Sequence, residues 1–301
     1  LPECTVNLGY ENISILEAKN RGAKSLVIGL ANNGGYIEEK WIPNIIEAIK
    51  QGLDIINGMH TKLDNLAIPG ENTTLADLAH LHNIRLHNIR HFNDDLPVGN
   101  GKKRQGRRLL TVGTDCSSGK MFTALHLHRA LINNSVKSKF TATGQCGILI
   151  EGQGIAIDAV EADFIAGAVE HLTPSSDDLY IIEGQGALFH PAYAGVSLGL
   201  LHGAQPDYLI MCHDVTRKQL KNFNYPLPEL YECIELNERL GRLTNPNCTC
   251  IGISLNTSGL SEDEASRTIE EYSNSFGLPV TDPYRFGVAV FTDKLQELGA
   301  I

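Results

Sequence analysis

Long apolar runs are missing from this 301-residue chain: no uninterrupted stretch approaches the roughly 18–20 residues that a membrane-spanning helix needs. Missing too is an opening charged patch followed by an apolar stretch and a small-residue cleavage site, so the sequence predicts a cytoplasmic protein. Positive charge is short. Lys and Arg number 25 against 35 Asp and Glu, a net charge of −10, and an acidic chain repels a phosphate backbone, which argues against nucleic acid as a partner. Paired cysteines are absent as well. The seven are Cys4, Cys116, Cys146, Cys212, Cys233, Cys248 and Cys250, an odd number with no C-x-x-C, and they read as reduced thiols rather than a disulfide framework. Proline at 12 and glycine at 29 are too few for disorder or collagen. What is left is a chain long enough for two domains, each able to bury a core.

Short apolar runs alternate with amphipathic stretches along almost the whole sequence. Ser25–Leu30 and Leu53–Asn57 read as buried strands, Pro43–Gln51 as a helix with proline in its first turn, and Thr74–His82 as another helix. The composition breaks at Asp94–Gly106, where one proline, three glycines and a basic cluster share thirteen residues. The expected boundary falls there, giving lobes 1–105 and 106–301, with the basic run Lys102–Arg108 as a solvated loop. Beyond it, strands are expected at Leu109–Val112, Phe140–Thr143, Leu179–Ile182, Tyr208–Met211 and Thr249–Leu255, with helical patterns between them. Strands spaced by helices imply right-handed crossovers and a mostly parallel sheet. The fold class is therefore α/β, with a smaller Rossmann-like N-terminal lobe and a larger P-loop-like domain.

The strongest local signal is Leu109 to Ala124, LLTVGTDCSSGKMFTA. An apolar strand ends in a loop from Gly113 through Thr114, Asp115, Cys116, Ser117 and Ser118 to Gly119, and Lys120-Met121 opens a helix. Such a loop aims backbone N–H groups, the positive end of a helix and an ammonium at one spot, which suits phosphate. The pattern G-x-x-x-x-G-K-[ST] does not fit, because Gly113 lies six residues before Gly119; the spacing is similar to that of dethiobiotin synthetase and its relatives. A plain turn that happens to contain Gly-Lys is the alternative. The position after the lysine normally carries the hydroxyl that binds Mg²⁺. Here it is Met121, a poor ligand for a hard cation. Unless an oxygen comes from elsewhere, Thr123 for instance, the loop holds phosphates without an obligatory metal. Coenzyme A is a ligand of that kind.

Ligands of open α/β sheets sit beyond the carboxyl ends of the strands. Three strands end there in polar groups: Gly144-Gln145-Cys146-Gly147, then Glu151–Gly154 and Asp158; Glu183-Gly184-Gln185-Gly186 with His190 just after; and Cys212-His213-Asp214 with Arg217 close behind. Two Gly-Gln-Gly turns suggest close approach of backbone to a ligand, though each alone can be a tight turn. Glu183 is free to act as a general base or to bind an amine, His190 is either a site residue or a satisfied loop histidine, and Arg217 is a surface helix residue or a fork for a carboxylate. Cys116 is a nucleophile or, better, a small loop residue. His126 and His128 read as packing or surface, and His80, His82, His87 and His91 lack metal-site spacing.

The blocks GTDCSSGKMFTAL, TATGQCGI and IIEGQGALFHPAYAGVSLGLLHGAQPDYLIMCH, together with GLANNGGYIEEKWIPNIIEAIKQGLDIINGMH and DLPVG in the first lobe, resemble a P-loop-like bacterial and archaeal family, formerly of unknown function, whose activities include N-acetylation of D-glutamate. The resemblance runs from about Val27 to the C-terminal region. It implies two α/β lobes and acetyl transfer from acetyl-CoA to the amine of an amino acid; Met121 adds the expectation of no metal. On that expectation the backbone of Gly113–Met121 and Lys120 hold the phosphates. Glu183 is the base, with His190 or Asp158 in reserve. Arg217, His213, Gln145 and Gln185 meet the acceptor, and Asn33–Gly35 and His60 would close the cleft from the first lobe. A homo-oligomer is expected. So is a missing segment, since the chain opens on Leu1 and little precedes Lys24, where the family often has an extra strand. The competing expectation is an ATP- and Mg²⁺-dependent ligase or kinase of the dethiobiotin synthetase type; a third is a protein that binds nucleotide or coenzyme A without catalysis.

Overall fold

The computed structural model describes residues 9–30, 32, 34–92 and 94–301, which fall into two units, 1–91 and 92–301. In the first, α1 (Ile15–Asn20), β1 (Ser25–Ile28), α2 (Ile42–Lys50), β2 (Asp54–Asn57), α3 (Leu75–Leu81) and β3 (Leu86–Asn88) build a three-stranded parallel sheet in the order β1-β2-β3. Proline in its first turn starts α2, which buries Ile42, Ile45, Ala48 and Ile49 at helical spacing. Thr74 and Asp77 close a reciprocal cap on α3. Ile45, Ile49, Leu53, Ile55 and Leu75 centre a core belonging to this unit.

The second unit runs β4 (Arg108–Gly113), α4 (Lys120–Asn133), β5 (Ser138–Thr141), α5 (Gln145–Glu151), α6 (Ile165–Leu172), β6 (Leu179–Ile182), α7 (Ala194–Ala204), β7 (Tyr208–Asp214), α8 (Leu230–Gly241), β8 (Thr249–Asn256), α9 (Glu262–Phe276), β9 (Val280–Thr281) and α10 (Ala289–Glu297). Its six strands are all parallel, in the order β5-β6-β4-β7-β8-β9. The strands β4 and β6 are buried along their whole length, as a sheet covered on both faces requires. Leu110 and Val112 of β4 join Leu200, Leu201, Leu209 and Met211 in the core beneath α6, α7 and α8, while Thr111 turns toward α4, its hydroxyl donating to the Lys120 carbonyl at 3.1 Å. The chain leaves β4 toward β5 and leaves its neighbour β7 toward β8, in opposite directions. That reversal opens a crevice at the carboxyl ends of β4 and β7.

The units part at residues 91 and 92, ahead of the composition break that suggested 105 and 106. The reason is hydrogen bonding. Glu170 accepts the N–H groups of Asn100 and Gly101, both at 2.9 Å, and Arg104 donates to the Gly203 carbonyl at 2.6 Å. The basic run is also more than a solvated loop. Arg108 is fully buried, its guanidinium spread over the carbonyls of Arg104, Gln105, Gly106, Thr173 and Pro174.

Candidate active site

The loop between β4 and α4 sits at the crevice. Its first residue is tied to β7: Thr114 N–H donates to the Cys212 carbonyl at 3.1 Å, and the Thr114 hydroxyl meets His213 Nδ1 at 3.1 Å. A side chain at Gly113 would crowd Ser118 Oγ and Lys120 Nζ, so the loop folds over a bare backbone. Gly119 turns the chain into α4 at φ +102°, a left-handed conformation that glycine takes without strain. The Lys120 ammonium donates to the Asp115 carbonyl at 2.7 Å and approaches Ser118 Oγ at 3.4 Å, and burial pushes its pKa down. The first N–H groups of α4 have no partner within the helix. Two further cations brace the loop from outside. Arg217 donates to Asp115 Oδ2 at 2.8 Å and the Cys116 carbonyl at 2.6 Å, and reaches Asp214 at 3.2 Å; Lys221 donates its N–H to Asp115 at 2.7 Å and its ammonium to Ser117 Oγ at 2.9 Å. Arg217, expected to take a substrate carboxylate, is thus committed to the loop. His213 is buried, and burial pushes its pKa down to about 4. It is a neutral strut between Thr114 and, at 3.5 Å, Tyr272, and not a cation.

Beside the loop, Glu183 lies at the end of β6, 3% exposed. Its Oε2 accepts N–H groups from Thr143 at 3.0 Å and Gly144 at 3.1 Å; its Oε1 accepts Gln185 Nε2 at 3.1 Å. Burial raises its pKa to about 7 against the pull of those three donors, with the charge of Asp158, in the turn 157–159, adding to the rise. Gln145, the first residue of α5, is half-buried next to this cluster in sequence. The glycines have a plainer role than expected. A Cβ at Gly147 would overlap Glu183 Oε2, and one at Gly184 would overlap the Thr111 carbonyl and press on Lys120. They let these strand ends and the carboxylate pack together.

His190 is fully buried, stacked on Tyr193 and met edge-on by Phe223. It gathers with Asp115 and Cys116 so that one possible ligand atom from each lies within 4.8 Å of the others. The set does not suit a metal. His190 Nδ1 accepts the Ala192 N–H at 3.2 Å, which leaves the proton on Nε2, whereas a ligating histidine donates from its other nitrogen. Nε2 stands 3.8 Å from Asp115 Oδ1, with no hydrogen-bond partner among the described residues. Burial also raises the Cys116 pKa, the reverse of what a nucleophilic thiol needs. In the first unit, Gly35 and His60 do meet, the Gly35 carbonyl accepting His60 N–H at 2.6 Å; Asn33 lies outside the described residues, as does Cys4.

A family model described as a P-loop domain of unknown function, DUF1611, matches residues 97–292, and its companion, described as a Rossmann-like N-terminal domain, matches residues 3–92. The chain belongs to the DUF1611 family. It is 48% identical over 288 residues to a D-glutamate N-acetyltransferase from a Pseudoalteromonas species, covering 95% of this chain and 85% of that one. It is 44% identical over 298 residues to a D-glutamate N-acetyltransferase from Tritonibacter scottomollicae, covering 98% and 88%. A crystal structure of a DUF1611 family protein from Anabaena variabilis superposes with a TM-score of 0.85 at 36% identity, over 94% of this chain and 83% of the other. Within the DUF1611 P-loop domain, sequence reasoning passed over three residues at this site: Thr143 and Lys221, already described, and Ser254, which meets Thr123. The Thr123 hydroxyl donates to the Gly119 carbonyl at 3.0 Å and meets Ser254 Oγ at 2.7 Å. Ser254 and Lys221 stand more than a hundred residues from the loop in sequence, and no local pattern marks them.

Proposed function

We propose that this chain is a D-glutamate N-acetyltransferase that uses acetyl-CoA as donor. The observation that carries the reading is the 48% and 44% identity, over nearly the whole chain, to two proteins of that name. The loop chemistry supports the donor. Lys120, Arg217 and Lys221 concentrate positive charge around residues 113–121 in a chain of net charge −10, as an anionic ligand needs. The residues present do not fit a Mg²⁺ site of the usual P-loop kind. Met121 offers only a thioether, and the hydroxyl of Thr123, the nearest substitute on the helix, is already committed to Gly119 and Ser254. That weighs against the ligase or kinase alternative, which shares the loop spacing and the strand-end acid but needs the metal.

On this reading the coenzyme A phosphates lie on the backbone of Gly113–Met121 and the Lys120 ammonium, while Arg217, Lys221 and His213 hold the loop in shape. Glu183, poised by burial near neutrality, takes the proton from the substrate ammonium. The neutral amine then attacks the thioester carbonyl, an N–C bond forms, and the C–S bond breaks as the coenzyme A thiolate leaves, the second amine proton passing to the departing sulfur so that amide and free thiol result. Gln185 and the N–H groups of Thr143 and Gly144 fix the base; His190 Nε2–H and Gln145 remain for the acceptor or the oxyanion. A cytosolic homo-oligomer, with small molecules as its partners, belongs to the same proposal.

The test is turnover. Purified protein with acetyl-CoA and D-glutamate should release free coenzyme A thiol and N-acetyl-D-glutamate in equal amounts, more slowly with L-glutamate, and with unchanged constants in EDTA. Turnover of ATP that requires Mg²⁺, with no thiol released from acetyl-CoA, would overturn the reading in favour of the ligase.

A further inference from the structure

The exposed ring of Tyr284 has no role in the chemistry above, and its setting is unusual. It is 83% exposed, which forgoes the stabilisation that burying an aromatic ring gives. A tyrosine on a loose loop would mean little, but this turn is built. Asp282, itself 4% exposed, accepts the N–H groups of Tyr284 at 2.9 Å and Arg285 at 3.4 Å through Oδ1, and through Oδ2 the N–H of Thr257 at 3.0 Å together with the Thr257 hydroxyl. Phe286 N–H closes back onto the Asp282 carbonyl at 2.9 Å. Arg285 pins the far side, donating to the carbonyls of Leu260 at 2.7 Å and Thr257 at 3.2 Å. Pro283 fixes one more dihedral. A fixed turn that presents an aromatic face to solvent is the arrangement expected of a preorganised contact.

Its place in the fold says for what. The turn follows β9, and Thr257 follows β8, so both lie at the carboxyl ends of the strands, the same end as the phosphate loop. Behind Tyr284 stands Phe122, ring centroids 6.1 Å apart and tilted by 47°, and Phe122 stacks on His126 at 3.9 Å. Phe122 lies two residues past Lys120, in the first turn of α4. An aromatic platform thus begins where the phosphate cradle ends.

We propose that Tyr284, backed by Phe122, is the stacking platform for the adenine ring of an adenosine-bearing ligand whose phosphates lie on residues 113–121. On the donor reading above, from which this follows, that ligand is acetyl-CoA. Stacking needs only a π-face, so ATP would use the same platform if the donor reading were wrong.

The experiment measures dissociation constants for coenzyme A, adenosine 3′,5′-bisphosphate and Mg²⁺-ATP with the normal protein, Tyr284→Ala and Tyr284→Phe. Replacing one stacking ring by alanine should weaken coenzyme A about tenfold or more, with adenosine 3′,5′-bisphosphate weakened by the same factor because the adenine is shared. Tyr284→Phe should restore binding. Melting temperatures of the two variants should match the normal protein, since the ring is exposed. Unchanged coenzyme A binding in Tyr284→Ala overturns the platform while leaving the donor reading intact. If the normal protein binds Mg²⁺-ATP and not coenzyme A, the donor reading falls, and the ATP constant in Tyr284→Ala then decides the platform. Binding of no adenosine-bearing ligand overturns both; a Tyr284→Ala variant whose only change is in oligomeric state overturns the platform alone.

Discussion

Glu183 sets a buried charge against three hydrogen bonds, and the balance decides both its chemistry and its effect on stability. Desolvation favours the protonated form, the N–H groups of Thr143 and Gly144 and the Gln185 amide favour the carboxylate, and desolvation wins, giving a pKa of about 7 where an ordinary glutamate has 4.5. The folded state therefore holds the proton more tightly than the unfolded one. Its stabilising effect is complete below pH 4.5 and is lost as pH rises through 7, an effect of order 3 kcal/mol. Glu183→Gln keeps an oxygen for the two N–H donors but cannot ionise. Relative to the normal protein, the variant should gain stability between pH 5 and pH 8, followed by thermal melts at each pH, and kcat should drop by about 10²- to 10⁴-fold. The normal enzyme's kcat should rise with pH around 7. A flat profile, or a variant that turns over at the normal rate, would show that the proton leaves to another group.

At the scale of single elements, the strand–loop–helix unit from β4 to α4 was the most legible part of the sequence, because the apolar run, Gly113, Gly119 and Lys120 all fall within twelve residues and each has a local physical reason. The strand ends carrying Glu183 and Asp214 were legible for the same reason: they follow apolar runs. What could not be read was pairing across the fold. Arg217 offers a fork for a carboxylate, as the sequence suggests, but the carboxylates it meets are Asp115 and Asp214 of the protein itself. The Gly-Gln-Gly turn at 184–186 signals close approach, and what Gly184 admits is the Thr111 carbonyl and the Lys120 side chain. The shortest strands, β3 and β9, were missed because two or three residues carry no periodicity. Within the loop, Lys120→Ala gives the sharpest separation of binding from chemistry. Charge-assisted hydrogen bonds are worth about 1.5–3 kcal/mol, so acetyl-CoA should bind roughly ten- to a hundredfold more weakly, while saturating turnover, set at Glu183, falls much less. The two constants measured in one titration series decide it. A collapse of kcat with unaltered acetyl-CoA binding would place Lys120 at the reacting atoms and the phosphates elsewhere.

Across the whole molecule, the division at residues 91 and 92 separates two cores with no shared member. Ile45, Ile49, Leu53 and Leu75 centre one, and Leu110, Ile182, Leu201, Met211 and Ile253 centre the other. The hydrogen bonds that build the phosphate loop, its braces Arg217 and Lys221, the Glu183 cluster and the Tyr284 turn join residues of 92–301. Segment 97–105, which composition alone assigns to the first lobe, supplies edge contacts to the second through Glu170 and Gly203. A piece spanning 92–301 should therefore fold by itself in one cooperative transition, whereas one beginning at residue 106 loses Asn100 and Gly101 from Glu170 and the Arg104 and Gln105 carbonyls from Arg108, and should melt lower. The longer piece should also bind the donor: at a hundred times its dissociation constant, acetyl-CoA adds about 2.7 kcal/mol. For a domain of this size that is an upward shift in melting temperature of roughly 5–10 °C. Calorimetry of both pieces, with and without acetyl-CoA, checks each step. A longer piece that melts cooperatively yet ignores acetyl-CoA would overturn residues 113–121 as a phosphate cradle sufficient for the donor.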